Sequence, residues 1–359
     1  VVRIPEKFKK LSPFKSGSRT STFVEFVDLV PTVLSLAGIE IPRSIDGKPF
    51  LGKKLNTSKL EKQNTTFGYA DRFDEKYDLV RSVRVGKYKY IRNYQPFNVD
   101  GLYNFYRYKM LAYKEWYKLF QDGKLNEVQS QFFKPRAPEA LYNIDEDPHE
   151  TNNLANDISY NEILLDLRTK LNDHLISIND LSFLPEPYLL ENGLNDVVGY
   201  SKKNKDLIKR LIEISDLQLY NYNEISSKIK DALKDNNPWV RYWGLIVSST
   251  FGNQALENKD KINFIFENDP VNLVRMRAAE FMLLNNFDIS DSKINSLLKK
   301  SNFEAETNLM LNSLANIKTT SPNYKLNLNK EVFPENWFPP LRSENALVNR
   351  RMNYLTDRE

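Results

Sequence analysis

Six charged side chains fall within the eight residues Asp71-Arg72-Phe73-Asp74-Glu75-Lys76-Tyr77-Asp78. Carboxylates and a guanidinium this close together can pair with an ionic ligand, provided a rigid neighbour holds them in place. That neighbour follows at once. Leu79 to Tyr94 alternates in the period of a β-strand, with Val80, Ser82 and Arg84 on one face and Arg81, Val83 and Val85 on the other. Gly86-Lys87 interrupts the run, and Tyr88, Tyr90 and Arg92 then alternate with Lys89, Ile91 and Asn93. A short Gly-containing turn between β-branched and aromatic runs predicts a hairpin. Two readings stand side by side: a fixed ionic site, or a solvated loop ahead of an edge hairpin.

The elements on either side bound the possibilities. The chain has 359 residues, enough for about two domains. An apolar fraction of 41% and a charged fraction of 27% describe a folding chain. A net charge of +4, with no stripe of cations interleaved with aromatics, gives no footprint for nucleic acid. No stretch approaches the ~18 uninterrupted apolar residues of a membrane span. With no cysteine, disulfides, thiol nucleophiles and thiolate-ligated metals are excluded within this sequence. The two histidines, His149 and His174, are too few for a histidine-rich metal centre. The opening Val1-Val2-Arg3-Ile4-Pro5 reads as the middle of a buried strand, so the expectation is a fragment of a longer protein.

Residues 22–37 predict a helix, with Val27, Val30, Leu34 and Ala37 on its apolar face, Phe23 and Phe26 nearby, and Gly38 as its stop. Pro31 inside it implies a start or kink there, with Asp28 at the preceding N-terminus. Asp46-Gly47 marks a turn. The rings of Tyr103, Phe105, Tyr106, Tyr108, Tyr113, Trp116, Tyr117 and Phe120 recur at helical spacing, either as core packing or as stacking platforms for sugars. Asp145, Glu146, Asp147 and Glu150 lack the alternating ligands and Gly of a calcium loop and read as a structural turn. Residues 160–178 form an amphipathic helix, with Ile163, Leu164, Leu167, Leu171 and Leu175 on one face. Pro and Gly mark residues 181–222 as a connector. Beyond it, Asn-Pro-Trp-Val-Arg at 237–241 is echoed by Pro-Val-Asn-Leu-Val-Arg at 270–275, with Val240 and Val274 offset by 34. A fainter third copy begins near Ser301, and the fixed period suggests HEAT-like helical repeats over residues 223–320. Residues 321–359 read as a capping tail.

Four stretches carry a family resemblance in order: VVRIPEKF, FVEFVDLVPTVLSLAGIEIPRSIDGKPFL, YADRFDEKYDLVRSVRVGKYKYIRNY and ALYNIDEDPHETNNLAND. Through them residues 1–180 resemble the C-terminal part of a type I, formylglycine-dependent sulfatase of the alkaline-phosphatase-like superfamily. The resemblance implies an α/β part, and the helical repeats read from the period of 34 add an all-α part beyond its reach. Residues 1–55 would end the catalytic core, and 56–180 would form a C-terminal subdomain of a small antiparallel sheet with a packed helix.

It also implies a chemistry of sulfate-ester hydrolysis on a sulfated glycan, by a formylglycine assisted by a calcium ion. No Cys/Ser-x-Pro-Ser-Arg motif and no recognisable calcium set occurs in this sequence. Catalytic and metal residues are therefore expected upstream of the chain, which by itself is expected to be inactive and metal-free. What carries over is the rim of the substrate pocket. Asp71 lies in that segment, Arg72 would pair with a sulfate or carboxylate, and Asp74 or Glu75 would accept from sugar hydroxyls. Many members have Arg where this chain has Ala70, so specificity would differ. The resemblance implies a periplasmic or extracellular location and leaves the helical repeats a protein or glycan partner. The competing readings are a stand-alone helical-repeat interaction protein with a non-catalytic sulfatase-like half, and a phosphoester or phosphonate hydrolase of the same superfamily.

Overall fold

The computed structural model describes residues 2–53, 55, 57–321 and 324–357. Four strands, β1 (Thr65–Phe73), β2 (Lys76–Val85), β3 (Tyr88–Asn93) and β4 (Glu139–Asn143), form a small antiparallel sheet in the order β1-β2-β3-β4. The hairpin read from sequence is β2–β3, with Gly86 in the left-handed region at φ +55°. The charged cluster ahead of it is not a loop. It is the end of β1, a tight turn and the start of β2, with Asp74 at φ +51°. Asp is one of the few residues other than Gly that tolerate that conformation. On β2, Leu79, Arg81 and Val83 are buried in alternation, which places an arginine in core register.

The helices are, in chain order, α1 (Leu29–Ala37), α2 (Thr57–Glu61), α3 (Phe105–Tyr108), α4 (Leu111–Gln121), α5 (Glu127–Ser130), α6 (Asn161–Ile178), α7 (Glu186–Asn192) and α8 (Val197–Lys203). They continue as α9 (Lys205–Ser215), α10 (Tyr222–Ala232), α11 (Pro238–Phe251), α12 (Lys259–Asn268), α13 (Asn272–Leu284), α14 (Asp291–Leu298), α15 (Glu304–Thr320) and α16 (Leu347–Leu355). On α6 the heptad-like set Leu164, Leu167, Leu171 and Leu175 is buried, as its spacing predicts.

Contacts divide the chain into two units. The first comprises residues 1–68, 82–91 and 141–171. Within it α1 begins at Asp28, whose carboxylate accepts from the backbone N–H of Glu25 at 2.9 Å and of Lys48 at 2.8 Å. Pro31 sits in the first turn, where its missing N–H costs no intrahelical bond. Gly38 closes the helix at φ +73°. Gly47 is required where it stands: a Cβ there would lie 2.4 Å from the Val27 carbonyl oxygen. Two expectations fail in this unit. Residues 2–4 form no strand, and Val2 is 60% exposed. The apolar face read onto α1 is largely exposed among the described residues, with Val27 46% and Val30 55% exposed and Phe26 beside it 91% exposed. Val1 lies outside the described residues.

The second unit comprises residues 69–81, 92–140 and 172–359. Its helices α9, α11, α13 and α15 pack side by side in that order. Helices α10 and α12 lie against α11 and α13 respectively, and α14 packs on α13. Val240 on α11 and Val274 on α13, the offset pair in the sequence, are both wholly buried. The stretch read as a connector is helical where it starts, and it is anchored: Phe183 and Leu184 are each 1% exposed, and the Trp243 indole N–H donates to the Phe183 carbonyl at 2.7 Å. Helix α16 packs on α15, so the tail does fold back on the helices.

Candidate functional site

The sequence-predicted residues sit at the β1–β2 turn, and the second unit draws them in two directions. Asp71 and Arg72 face a cavity of about 360 Å³. Tyr77, Gln95, Glu186, Tyr242 and Trp243 also line it. Arg72 Nε lies 2.9 Å from Glu186 Oε2, and its Nη1 donates to the Asp74 carbonyl at 3.0 Å. Both side chains of the pair are about one-third exposed, 36% and 33%. The pair therefore stands at the cavity's lip, where water still screens it. The guanidinium also lies over the Tyr77 ring, 5.9 Å from its centroid. Burial first, and the Glu186 charge second, push the Tyr77 hydroxyl far above its ordinary pKa, so it is a neutral donor at any working pH.

Asp71 is tied down from the other side. Its carboxylate accepts from Arg81 Nη1 at 2.5 Å and from the Ser182 hydroxyl at 3.0 Å. Arg81 in turn makes a two-point pair with Asp180, Nε to Oδ2 at 2.7 Å and Nη2 to Oδ1 at 3.2 Å. Burial alone would depress this guanidinium's pKa, but its bonds to Asp180 and Asp71 raise it beyond its normal value, so it stays charged. The arginine at core register on β2 is thus the post on which the lip is mounted.

Asp74 and Glu75 do not line the cavity. Asp74 is 37% exposed, with Arg350 Nη1 at 3.9 Å. Glu75 is fully buried. Its Oε1 accepts from the Phe105 backbone N–H, while Oε2 has no hydrogen-bond partner among the described residues and faces Arg350 Nη1 at 3.8 Å. The Glu75 carbonyl accepts from Arg351 Nη2 at 2.9 Å and from Asn308 Nδ2 at 3.3 Å. The four residues adjacent in sequence therefore separate into two that meet solvent at the cavity and two at the turn behind it.

Sequence reasoning missed the residues that hold this turn. Asn308, Asn312 and Asn316 stand one turn apart on α15, all buried, and donate to the carbonyls of Glu75, Tyr77 and Phe97. The spacing of four was visible, but nothing local says that those amides face backbone. Trp243, Tyr242 and Phe183 at the cavity wall were also missed as site residues. The rings of Phe183 and Trp243 lie 5.5 Å apart, and the Tyr242 hydroxyl accepts from Arg277 Nη2 at 2.8 Å.

The arrangement can bind. It offers one cation at the lip, a neutral phenol and aromatic walls, the features of a recognition surface for a polar ring bearing an anion. A calcium ion does not fit this donor set. No group of three or more His, Asp or Glu side chains is placed to hold a metal among the described residues. In the acidic turn, Asp147 Oδ2 is occupied by the N–H groups of Thr151 and Asn152 at 2.7 and 2.8 Å.

Comparison with known proteins places a resemblance on the first part of the chain. Residues 1–137 match the family model described as N-sulphoglucosamine sulphohydrolase, C-terminal. An ulvan-active sulfatase of Formosa agariphila is 35% identical over 199 residues, 54% of this chain and 32% of the relative. A second ulvan-active sulfatase of the same organism is 27% identical over 152 residues, 42% of this chain and 28% of the relative. The matches thus span about a third of the length of these curated relatives. At the level of family, then, the first part of this chain is similar to the C-terminal region of a sulfatase.

Proposed function

We propose that the chain is the C-terminal portion of a sulfuric ester hydrolase acting on a sulfated glycan, and that it supplies part of the substrate pocket. One observation carries this reading: Arg72, within the matched region, stands at the lip of an aromatic-walled cavity and is held there by Glu186 at 2.9 Å. With Nε on Glu186 and Nη1 on the Asp74 carbonyl, Nη2 has no protein partner among the described residues and is available to a sulfate oxygen. Asp71, braced by Arg81 and Ser182, is the acceptor beside it for a sugar hydroxyl. Asp74 and Glu75 act through the turn that presents both.

In this reading the formylglycine and the calcium ligands belong to a part of the enzyme outside these residues, and the protein works in the periplasm or outside the cell. Residues 1–55 complete the catalytic core, 56–180 form the C-terminal subdomain, and 181–222 connect it to HEAT-like repeats at 223–320, capped by 321–359. The side-by-side packing of α11, α13 and α15 supports the repeat assignment. The test is Arg72→Ala in the full-length enzyme, assayed on a sulfated oligosaccharide. A rise in KM of about tenfold, with the fold intact, supports the reading. An unchanged KM rejects the pocket role, and absence of any sulfate release by the wild-type enzyme rejects the activity.

A further inference from the structure

A second cavity, of about 490 Å³, opens among the aromatic residues that follow the β2–β3 hairpin and the C-terminal tail. None of its lining residues lines the Arg72 cavity. Its wall is a tyrosine stack. The rings of Tyr103 and Tyr354 lie 4.3 Å apart and 6° from parallel, and Tyr103 stacks on Tyr108 at 5.2 Å. Tyr117 meets Tyr108 edge-on at 5.8 Å. The hydroxyls of Tyr108 and Tyr354 are satisfied, one donating to the Gly101 carbonyl at 2.6 Å and the other paired with Thr319 at 2.9 Å. Burial drives both phenols well above their ordinary pKa, so these two rings are uncharged.

Its lining is cationic, although Arg350 Nη1 is already shared with the Glu75 and Asp74 carboxylates behind it at 3.8 and 3.9 Å, which leaves the two lysines as the charges open to a ligand. Lys109, Lys114 and Arg350 line the cavity and no carboxylate does. Arg350 is fixed, with Nε on the Leu341 carbonyl at 2.9 Å and Nη2 on the Ser343 carbonyl at 2.8 Å. The Phe105 ring lies between cations, with Lys109 Nζ 4.3 Å and Arg350 Cζ 5.0 Å from its centroid. Lys109 and Lys114 are exposed, and no ion pair of either occurs among the described residues.

We propose that this cavity is a second glycan subsite, which takes an anionic saccharide unit bearing a sulfate ester or a carboxylate. The proposal rests on the reading of the chain as part of a glycan sulfatase. The apolar flank of the tyrosine stack contacts the C–H surface of a pyranose, and cations at the rim select a charged sugar over a neutral one. The cavity's volume suits one or two sugar units. An enzyme with such a subsite would hold a polyanionic chain at two points, which raises its affinity for polymer over monomer.

The experiment is calorimetric titration of the chain with ulvan oligosaccharides, native and chemically desulfated, using wild type, the pair Lys109→Ala with Lys114→Ala, and Arg72→Ala. The expected result is a loss of about tenfold in affinity for the native oligosaccharide in the double lysine variant, and a smaller loss for the desulfated one. Loss on the native ligand alone assigns the contact to sulfate, and equal loss on both assigns it to carboxylate. Unchanged affinity in the lysine variant, or no binding by wild type, overturns the subsite. Loss in Arg72→Ala alone overturns it while leaving the primary pocket standing. Loss in the lysine variant alone supports it while removing Arg72. Binding of an acidic peptide by wild type in preference to either saccharide would also overturn it. Both lysines are solvent-exposed, so the variant folds, and retained thermal unfolding verifies that.

Discussion

Asn312 takes both backbone groups of Tyr77: its Oδ1 accepts from the Tyr77 N–H at 2.9 Å and its Nδ2 donates to the Tyr77 carbonyl at 3.2 Å, across 235 residues of sequence. The same Oδ1 accepts from Arg351 Nη2 at 2.8 Å, so strand β2, helix α15 and helix α16 meet at one amide. A side-chain amide thus does here what a neighbouring strand would do, and it sets the height of the β1–β2 turn that carries Asp71 and Arg72.

Asn312→Ala removes all three bonds and leaves buried donors and an acceptor unmatched. A loss of about 1–3 kcal/mol in unfolding free energy is expected, read from urea denaturation. A midpoint equal to wild type would mean that the amide is dispensable.

The Arg81–Asp180 pair is nearly dry, at 2% and 8% side-chain exposure. Asp180→Asn leaves a buried guanidinium with only Asp71 as a counter-charge and is expected to cost about 3–5 kcal/mol. Replacing both residues with leucine should cost much less than that single change, because no buried charge is left unpaired: Asp71, 45% exposed, keeps water and the Ser182 hydroxyl. Thermal unfolding of the two variants decides the order.

In the proposed pocket, an anion would have to share Arg72 with Glu186, which lies 2.9 Å from its Nε. In the full-length enzyme, Glu186→Gln should lower KM for a sulfated oligosaccharide, whereas Arg72→Ala raises it, each by about threefold to tenfold for a lip-exposed pair. Movement of both variants in the same direction would show that Glu186 orients Arg72 and does not compete with ligand.

Lys76 supplies the pH dependence. Burial lowers its pKa from 10.5 to about 8, against the opposing pull of Asp78 and Asp100. Between these two values the unfolded chain binds the proton that the folded chain has released, so stability rises with pH across that window. Relative to Lys76→Met, wild type should gain about 2 kcal/mol between pH 7 and pH 10. Paired denaturation curves at the two pH values measure it, and a constant difference between wild type and variant would refute the burial effect.

Much of the local structure was legible. The turn at Gly86, the stop at Gly38, the placing of Pro31 in a first turn and the buried face of α6 are each set by nearest-neighbour chemistry, and each appears where the spacing puts it. The charged cluster was legible as special and misread in form. Charges at a strand end look like a solvated loop unless the partners of Asp71 and Arg81 are known, and Asp180, Ser182 and Glu186 lie about a hundred residues on.

By itself the sequence determined the β2–β3 hairpin, the helices α1 and α6, the period of 34 in the helical part, and the absence of a thiol nucleophile in these residues. Only the tertiary structure decided which charges face the cavity and which are buried, that the stretch after residue 181 is anchored helix, and that cations and tyrosines 250 residues apart in the chain share a second cavity. The reason is physical. Backbone propensity and alternation act over a few residues, whereas a buried charge is tolerated only where distant groups supply its counter-charge and hydrogen bonds.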